Sequence, residues 1–130
     1  MSADLRDLRP VDFTQVKLAD PFWRPRQEVN RRVTINIQYK HLVDTGRIAG
    51  IDPHYKPGDR QAHHIFWDSD IAKWMETAAY SLAAHPDPEL EARVDEVVEK
   101  YAALQTPDGY INSWYTTVEP EKRFTNLRDA

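Results

Sequence analysis

The sequence predicts an all-α chain, and three observations carry that prediction. Ile71, Trp74, Met75, Ala78 and Leu82 fall at i, i+3, i+4, i+7 and i+11, one helical stripe. A second stripe, Leu90, Val94, Val97, Val98, Tyr101 and Leu104, follows Asp87-Pro88, a capping residue and a proline suited to the first helical position. The link between them, His85-Pro86, is short enough to make the two helices antiparallel neighbours.

Taken in order, residues 1–24 read as an extended lead-in. Pro10 and Pro21 bracket Val11, Phe13, Val16 and Leu18, a short and partly alternating patch. The aromatic pair Phe22-Trp23 follows, with Trp23 read as a packing anchor. From Pro25 to about Thr45 two signals compete. Val29, Val33 and Ile37 keep a helical i+4 spacing, while Val33, Ile35, Ile37 and Tyr39 alternate as a strand would. Length, Pro25 in a first turn and Gly46 past the end favour a helix.

Residues 46–66 carry Gly46, Gly50, Pro53, Pro57 and Gly58 and read as an irregular connection, of a length that is usually functional or disordered. It holds His54, Arg60, Gln61, His63 and His64. Adjacent histidines point to different sides of any regular element, so His63-His64 is a poor metal pair, and the segment is weighed instead as part of a sugar pocket.

A helix from about Ser69 to Ala84 is expected to be capped by Asp68 or Ser69, with Asp70 in the first turn where the helix dipole favours negative charge. In the next helix Glu91, Arg93, Glu96 and Lys100 are expected to face solvent, with Glu96 and Lys100 in the favourable i, i+4 order. Thr106-Pro107-Asp108-Gly109 has the chemistry of a tight turn, Tyr110–Tyr115 reads as a short extended segment, and Thr125–Asp129 as the start of another helix.

Composition narrows the function classes. With 41% hydrophobic and 29% charged residues in 130, the chain has the make-up of an ordinary globular protein. A formal net charge of −4 with dispersed Lys and Arg gives no reason to expect nucleic acid or an anionic membrane as partner. No apolar run approaches the ~20 residues needed to span a bilayer, and Met1–Asp7 shows no apolar leader, so a cytoplasmic location is the expectation. The absence of cysteine removes disulfides, thiolate nucleophiles and thiolate metal ligands from this chain.

The chemistry concentrates at Phe66–Glu76. Aromatic faces beside carboxylates suit carbohydrate, whose C–H faces stack on rings and whose hydroxyls seek acceptors. Trp67, Asp68 and Asp70 are the candidates there, set against a bland reading in which the acids cap a helix and Trp67 and Trp74 are core. Paired carboxylates hydrolyse glycosides when they flank the bond, ~5–5.5 Å apart for retention or ~6.5–9.5 Å for inversion. Asp68 and Asp70 share one helical turn and point apart, so only one of them can enter a pocket. The D-x-D pattern does not continue as a calcium loop, because Lys73 and Ala79 stand where glycine and glutamate are needed. There is no phosphate-binding glycine loop and no G-x-S-x-G elbow.

The stretch WDSDIAKWMETAAYSL, residues 67–82, closely resembles a segment of glycoside hydrolase family 127, the β-L-arabinofuranosidase type. The likeness continues through His85–Leu90 and Gln105–Asn112 and runs to Glu119–Asp129. The resemblance implies that residues 25–130 are the incomplete N-terminal portion of an (α/α)6-barrel catalytic domain. A whole barrel, with about twelve helices, needs on the order of 250 residues. It also implies a retaining hydrolase that releases terminal β-L-arabinofuranose, using a cysteine nucleophile and a zinc ion held by cysteines and a glutamate. None of those cysteines has a counterpart here, so no catalytic or metal residue is assigned and the isolated chain is expected to be inactive. Segments that follow helices in such barrels approach the mouth, which adds Tyr110, Asn112 and Trp114 to Trp67, Asp68 and Asp70 as substrate-binding candidates. The rival readings are another helical-barrel sugar enzyme, an epimerase or unsaturated-uronide hydrolase, and a non-catalytic helical interaction module.

Overall fold

The computed structural model describes residues 9–56 and 63–125. Among the described residues there are helices and turns and no strand. The expected helix start at Thr125–Asp129 lies outside them from residue 126 on, as do Arg60 and Gln61.

The lead-in is irregular apart from a 3-10 turn at Phe13–Gln15, where Asp12 accepts the Thr14 N–H at 2.8 Å. Asp20 then receives the N–H groups of Phe22 and Trp23, and helix α1 (Trp23–Val29) starts two residues before Pro25. Trp23 is not a packing anchor. It is 57% exposed and, among the aromatic rings of the described residues, touches Phe22, edge to face at 4.9 Å.

Helix α1 runs through a π-helical segment (Asn30–Thr34) into α2 (Ile35–Asp44). Helix wins over strand, yet the face that packs is not the one the i+4 spacing marks. A π turn inserts an extra residue per turn and rotates everything after it. Ile35 and Leu42 are buried with Tyr39 packed beside them, whereas Val29, Val33 and Ile37 stay about half exposed. Gly46, at φ 79°, ends the helix in the left-handed conformation that a side chain disfavours. The connection that follows is less irregular than expected, because it contains the short helix α3 (Arg47–Gly50).

Helix α4 (Trp67–Ala84) is the hub and packs against α2, α3 and α5 (Pro88–Leu104). It begins before Asp68, so neither Asp68 nor Ser69 caps it. The first free N–H groups are taken by backbone: Trp67 N–H reaches the His64 carbonyl and Ser69 N–H the Phe66 carbonyl. Ser69 Oγ donates back to that same Phe66 carbonyl at 2.9 Å. Asp68 and Asp70 do lie in the first turn. Ile71, Trp74 and Ala78 are buried and Met75 and Leu82 pack around them, as the stripe predicts.

His85 ends α4 and Asp87 caps α5, accepting the N–H groups of Glu89 and Leu90 at 3.2 Å each. Leu90, Val97 and Leu104 form the buried face of α5, while Val98 is 46% exposed. Glu96 and Lys100 pair at 3.6 Å. Arg93 does not simply face solvent: it donates to Asn36 Oδ1 at 2.7 Å and lies near the Tyr39 ring, tying α5 to α2.

The turn at 106–109 forms as expected, with Gly109 N–H on the Thr106 carbonyl at 2.8 Å. The expected extended segment stops at Asn112. A helical residue, Ser113, leads into a π turn over Trp114–Val118, followed by a 3-10 turn at Pro120–Lys122. Asn112 Oδ1 accepts the Tyr115 N–H at 2.9 Å and so closes the start of this coil.

Candidate functional site

The start of α4 and the Ser113–Val118 coil meet around one histidine. His63 is 6% exposed, with its ring tilted against Trp67 at 4.7 Å and met edge-on by Tyr55 and Trp114. Its Nε2 is 2.8 Å from Ser113 Oγ. Ser113, 1% exposed, donates its N–H to Asp68 Oδ2 at 2.6 Å, and the Asp68 carbonyl accepts the Tyr101 hydroxyl at 3.1 Å. His63 Nδ1 and Asp68 Oδ1 are buried without a hydrogen-bond partner among the described residues.

Burial holds the His63 imidazole below the ordinary histidine pKa, against the pull of the Asp68 carboxylate toward the cation and with a smaller push from His64. Burial likewise raises the Tyr101 phenol, with Asp68 adding to it. His63 and His64 part company as adjacent residues must: His64 is exposed, beside Phe66.

Gly50 makes this packing possible. A Cβ there would stand 2.8 Å from Trp67 Cε3, 3.0 Å from Cζ3 and 3.3 Å from His63 Nε2. The Trp67 and His63 rings, 4.7 Å apart, both face that position, so a methyl group there displaces one or both. Gly50→Ala is therefore expected to destabilise the protein by about 1–3 kcal/mol through overpacking, less the helix-propensity gain of alanine, ~0.5–1 kcal/mol. Urea unfolding of the variant measures it, and a stabilised variant would contradict the close approach.

Beside the cluster opens a cavity of about 460 Å³ lined by His63, His64, Ile65, Phe66, Trp114, Tyr115, Glu119, Lys122 and Thr125. It combines aromatic faces with donors and acceptors. Glu119 accepts from Trp114 Nε1 at 3.1 Å and from Lys122 at 2.6 Å, and the Lys122 ammonium is the chief cause that holds its carboxylate below the usual range. A groove of similar volume lies between α2 and α4, lined by Gln38, His41, Thr45, Arg47, Asp70 and Lys73 among others. Its central charges are already satisfied, Arg47 on Asp70 at 2.9 Å and on Thr45 at 2.8 Å, and its one indole, Trp74, is buried.

The sequence-derived candidates are thus spread over four places. Trp67 and Asp68 belong to the buried cluster behind the cavity wall. Asp70 turns to the α2–α4 groove, as expected for two acids that point apart. Tyr110 packs between Phe124, at 5.4 Å, and the Arg123 guanidinium, at 3.7 Å. Asn112 positions the coil that carries Trp114, and Trp114 faces the cavity. Sequence reasoning did not single out Phe66, Glu119 and Lys122. Phe66, 54% exposed immediately before the buried Trp67, is the one with a visible signal, as an aromatic outside the stripe.

The residues present do not fit the zinc ion that the resemblance implies. The chain has no cysteine, and among the described residues no three His, Asp or Glu side chains are placed to hold a metal ion. No helix among the described residues is long and apolar enough to cross a membrane.

Comparison with known proteins bears on what this arrangement is for. Residues 15–129 match the family model described as β-L-arabinofuranosidase, GH127 catalytic domain. A 51-residue stretch is 53% identical to the non-reducing end β-L-arabinofuranosidase of Bifidobacterium longum subsp. longum, covering 39% of this chain and 8% of that protein. Among solved structures, a GH127 β-L-arabinofuranosidase from Geobacillus stearothermophilus superposes with a TM-score of 0.80 at 39% identity, over 88% of this chain and 19% of that one. A second GH127 β-arabinofuranosidase gives 0.73 at 37% identity, over 82% of this chain and 17% of that one. The chain therefore spans less than a fifth of the relatives it matches, and its helices are those of the N-terminal part of their (α/α)6 barrel. It belongs to glycoside hydrolase family 127, within the catalytic domain.

Proposed function

We propose that these residues build part of the carbohydrate-binding end of a hydrolase that releases terminal β-L-arabinofuranose from arabinosides with retention of configuration. The observation that carries the reading is the cavity at the start of α4, in a chain of this family: Phe66 and Trp114 offer faces on which a sugar ring can stack, and Glu119, Lys122 and His64 offer hydroxyl partners. Trp67 and Asp68 act from behind, holding the wall. Asn112 shapes the coil that presents Trp114, with Tyr110 flanking it and Asp70 fixing α3 to α4 through Arg47.

The residues present bind and position. Neither a nucleophile nor a metal ligand is assigned among them, and the cysteines with which the family cleaves the bond have no counterpart in this chain. In the native enzyme, Trp114→Ala is expected to raise KM for an arabinofuranoside up to about tenfold, the loss of one aromatic contact worth ~0.5–1.5 kcal/mol. Trp114→Phe should lose less and kcat should change less than KM. A KM unchanged in Trp114→Ala removes the cavity from the reading.

A further inference from the structure

We infer that His63 is a positioning residue whose uncharged imidazole latches the Ser113–Val118 coil onto the first turn of α4, and that its protonation in acid opens this latch. That the latched wall binds carbohydrate rests on the function proposed above; the latch itself rests on geometry alone.

His63, Ser113 and Asp68 form one continuous hydrogen-bonded chain, His63 Nε2 to Ser113 Oγ at 2.8 Å and Ser113 N–H to Asp68 Oδ2 at 2.6 Å. The chain joins positions 45 and 50 residues apart in sequence. Ser113 immediately precedes Trp114, so where Ser113 is held decides where the indole stands in the cavity. The Ser113 hydroxyl can donate or accept and so tolerates either neutral tautomer of the ring.

The cation is a different matter. Both ring nitrogens then carry hydrogen, and Nδ1 is buried with no acceptor among the described residues. The charge would lie among Trp67, Tyr55 and Trp114. The groups that face it from each neighbouring element are few. Asp68 on α4 favours the cation and His64 opposes it. Glu119 and Lys122 share the cavity as an ion pair, and Arg47 stands 5.6 Å from the Trp67 ring centre on the α3 side. Tyr101 stays a neutral donor to the Asp68 carbonyl.

Burial outweighs Asp68, so the latched imidazole has a lower pKa than a free one. The free state then binds more protons in the interval between the two values. The latch is intact above the ordinary histidine value of about 6.5 and weakens as pH falls through that value toward the lower one.

The test is a ring-resolved NMR titration of His63 in the native protein, with tryptophan emission followed in parallel. His63 should titrate below the ordinary histidine value, and emission should change in step with its protonation, because opening the latch moves Trp114 off the His63 ring. His63→Gln keeps a nitrogen for Ser113 without titrating, so the emission step should vanish. The acid-side rise in KM for p-nitrophenyl β-L-arabinofuranoside, up to about tenfold per pH unit as the competent fraction falls, should vanish with it.

A His63 ring that titrates at or above the ordinary histidine value overturns the latch, as does an emission step that persists in His63→Gln. Both readouts need no substrate. A protein inert on arabinosides would overturn the hydrolase reading and leave the ring titration to decide the latch.

Discussion

Replacing Trp74 by alanine is expected to cost about 3–5 kcal/mol of stability, the range for removing a large aromatic from a packed core. Trp74 is 3% exposed in the middle of α4, with the Tyr39 ring at 4.9 Å and its Nε1 donating to the Ile35 carbonyl at 3.0 Å. That bond crosses 39 residues of sequence and fixes α2 to the hub at the point where the π segment ends. Two losses therefore combine in the alanine variant, packing volume and a buried hydrogen bond. Trp74→Phe separates them. It keeps most of the volume and should lose only about 1–2 kcal/mol, the scale of one buried hydrogen bond with a modest change of shape. Chemical denaturation of the native protein and both variants reads the difference. Equal losses in the two would show that the ring's volume plays no part.

Asp68→Ala is the second large effect, at about 1.5–3 kcal/mol, because a hydrogen bond to a charged acceptor is lost and a buried N–H is stranded. The stranded group is the Ser113 N–H, on a residue that is 1% exposed. Asp68→Asn keeps an oxygen for that N–H and should recover most of the loss. The consequence reaches the cavity. With Ser113 released, the coil bearing Trp114 is free to shift, so the alanine variant should also bind sugar more weakly than its residual folded fraction explains. Denaturant midpoints and KM, measured on the same preparations, separate the two effects. An Asp68→Ala variant as stable as the parent would mean that the Ser113 N–H finds another acceptor.

The second half of the fold is legible in the sequence because each helix there declares its own limits. Asp87-Pro88 starts α5, His85-Pro86 stops α4, and the stripes of both, Val98 excepted, are the faces that pack. The first half is only partly legible. A π segment has no composition of its own, so nothing in Asn30–Thr34 announces that the apolar line through Val29, Val33 and Ile37 will face outward while Ile35 and Leu42 turn inward. The start of α4 misleads for a related reason. Asp68 has the chemistry of a cap, but burial of Trp67 pulls the helix start forward and leaves that carboxylate for a distant N–H.

The site follows the same division. Trp67, Asp68 and Trp114 are visible as aromatics and acids in a suitable stretch, and all three stand at or behind the cavity. The pairing of His63 with Ser113 is invisible, since it depends on packing between segments 50 residues apart. In the sequence His63 and His64 look alike; in the fold one is walled in by three aromatic rings and the other is exposed. Gly50 reads as loop punctuation and is in fact the gap that admits Trp67.

The central claim is that this chain contributes to a hydrolase of β-L-arabinofuranosides, and NMR analysis of product formation by the native protein tests it most directly. With p-nitrophenyl β-L-arabinofuranoside as substrate, the expected result is release of p-nitrophenol and free L-arabinose, first seen as the β-anomer. Substrate that stays intact, or that is converted into an isomeric glycoside without cleavage, would contradict it.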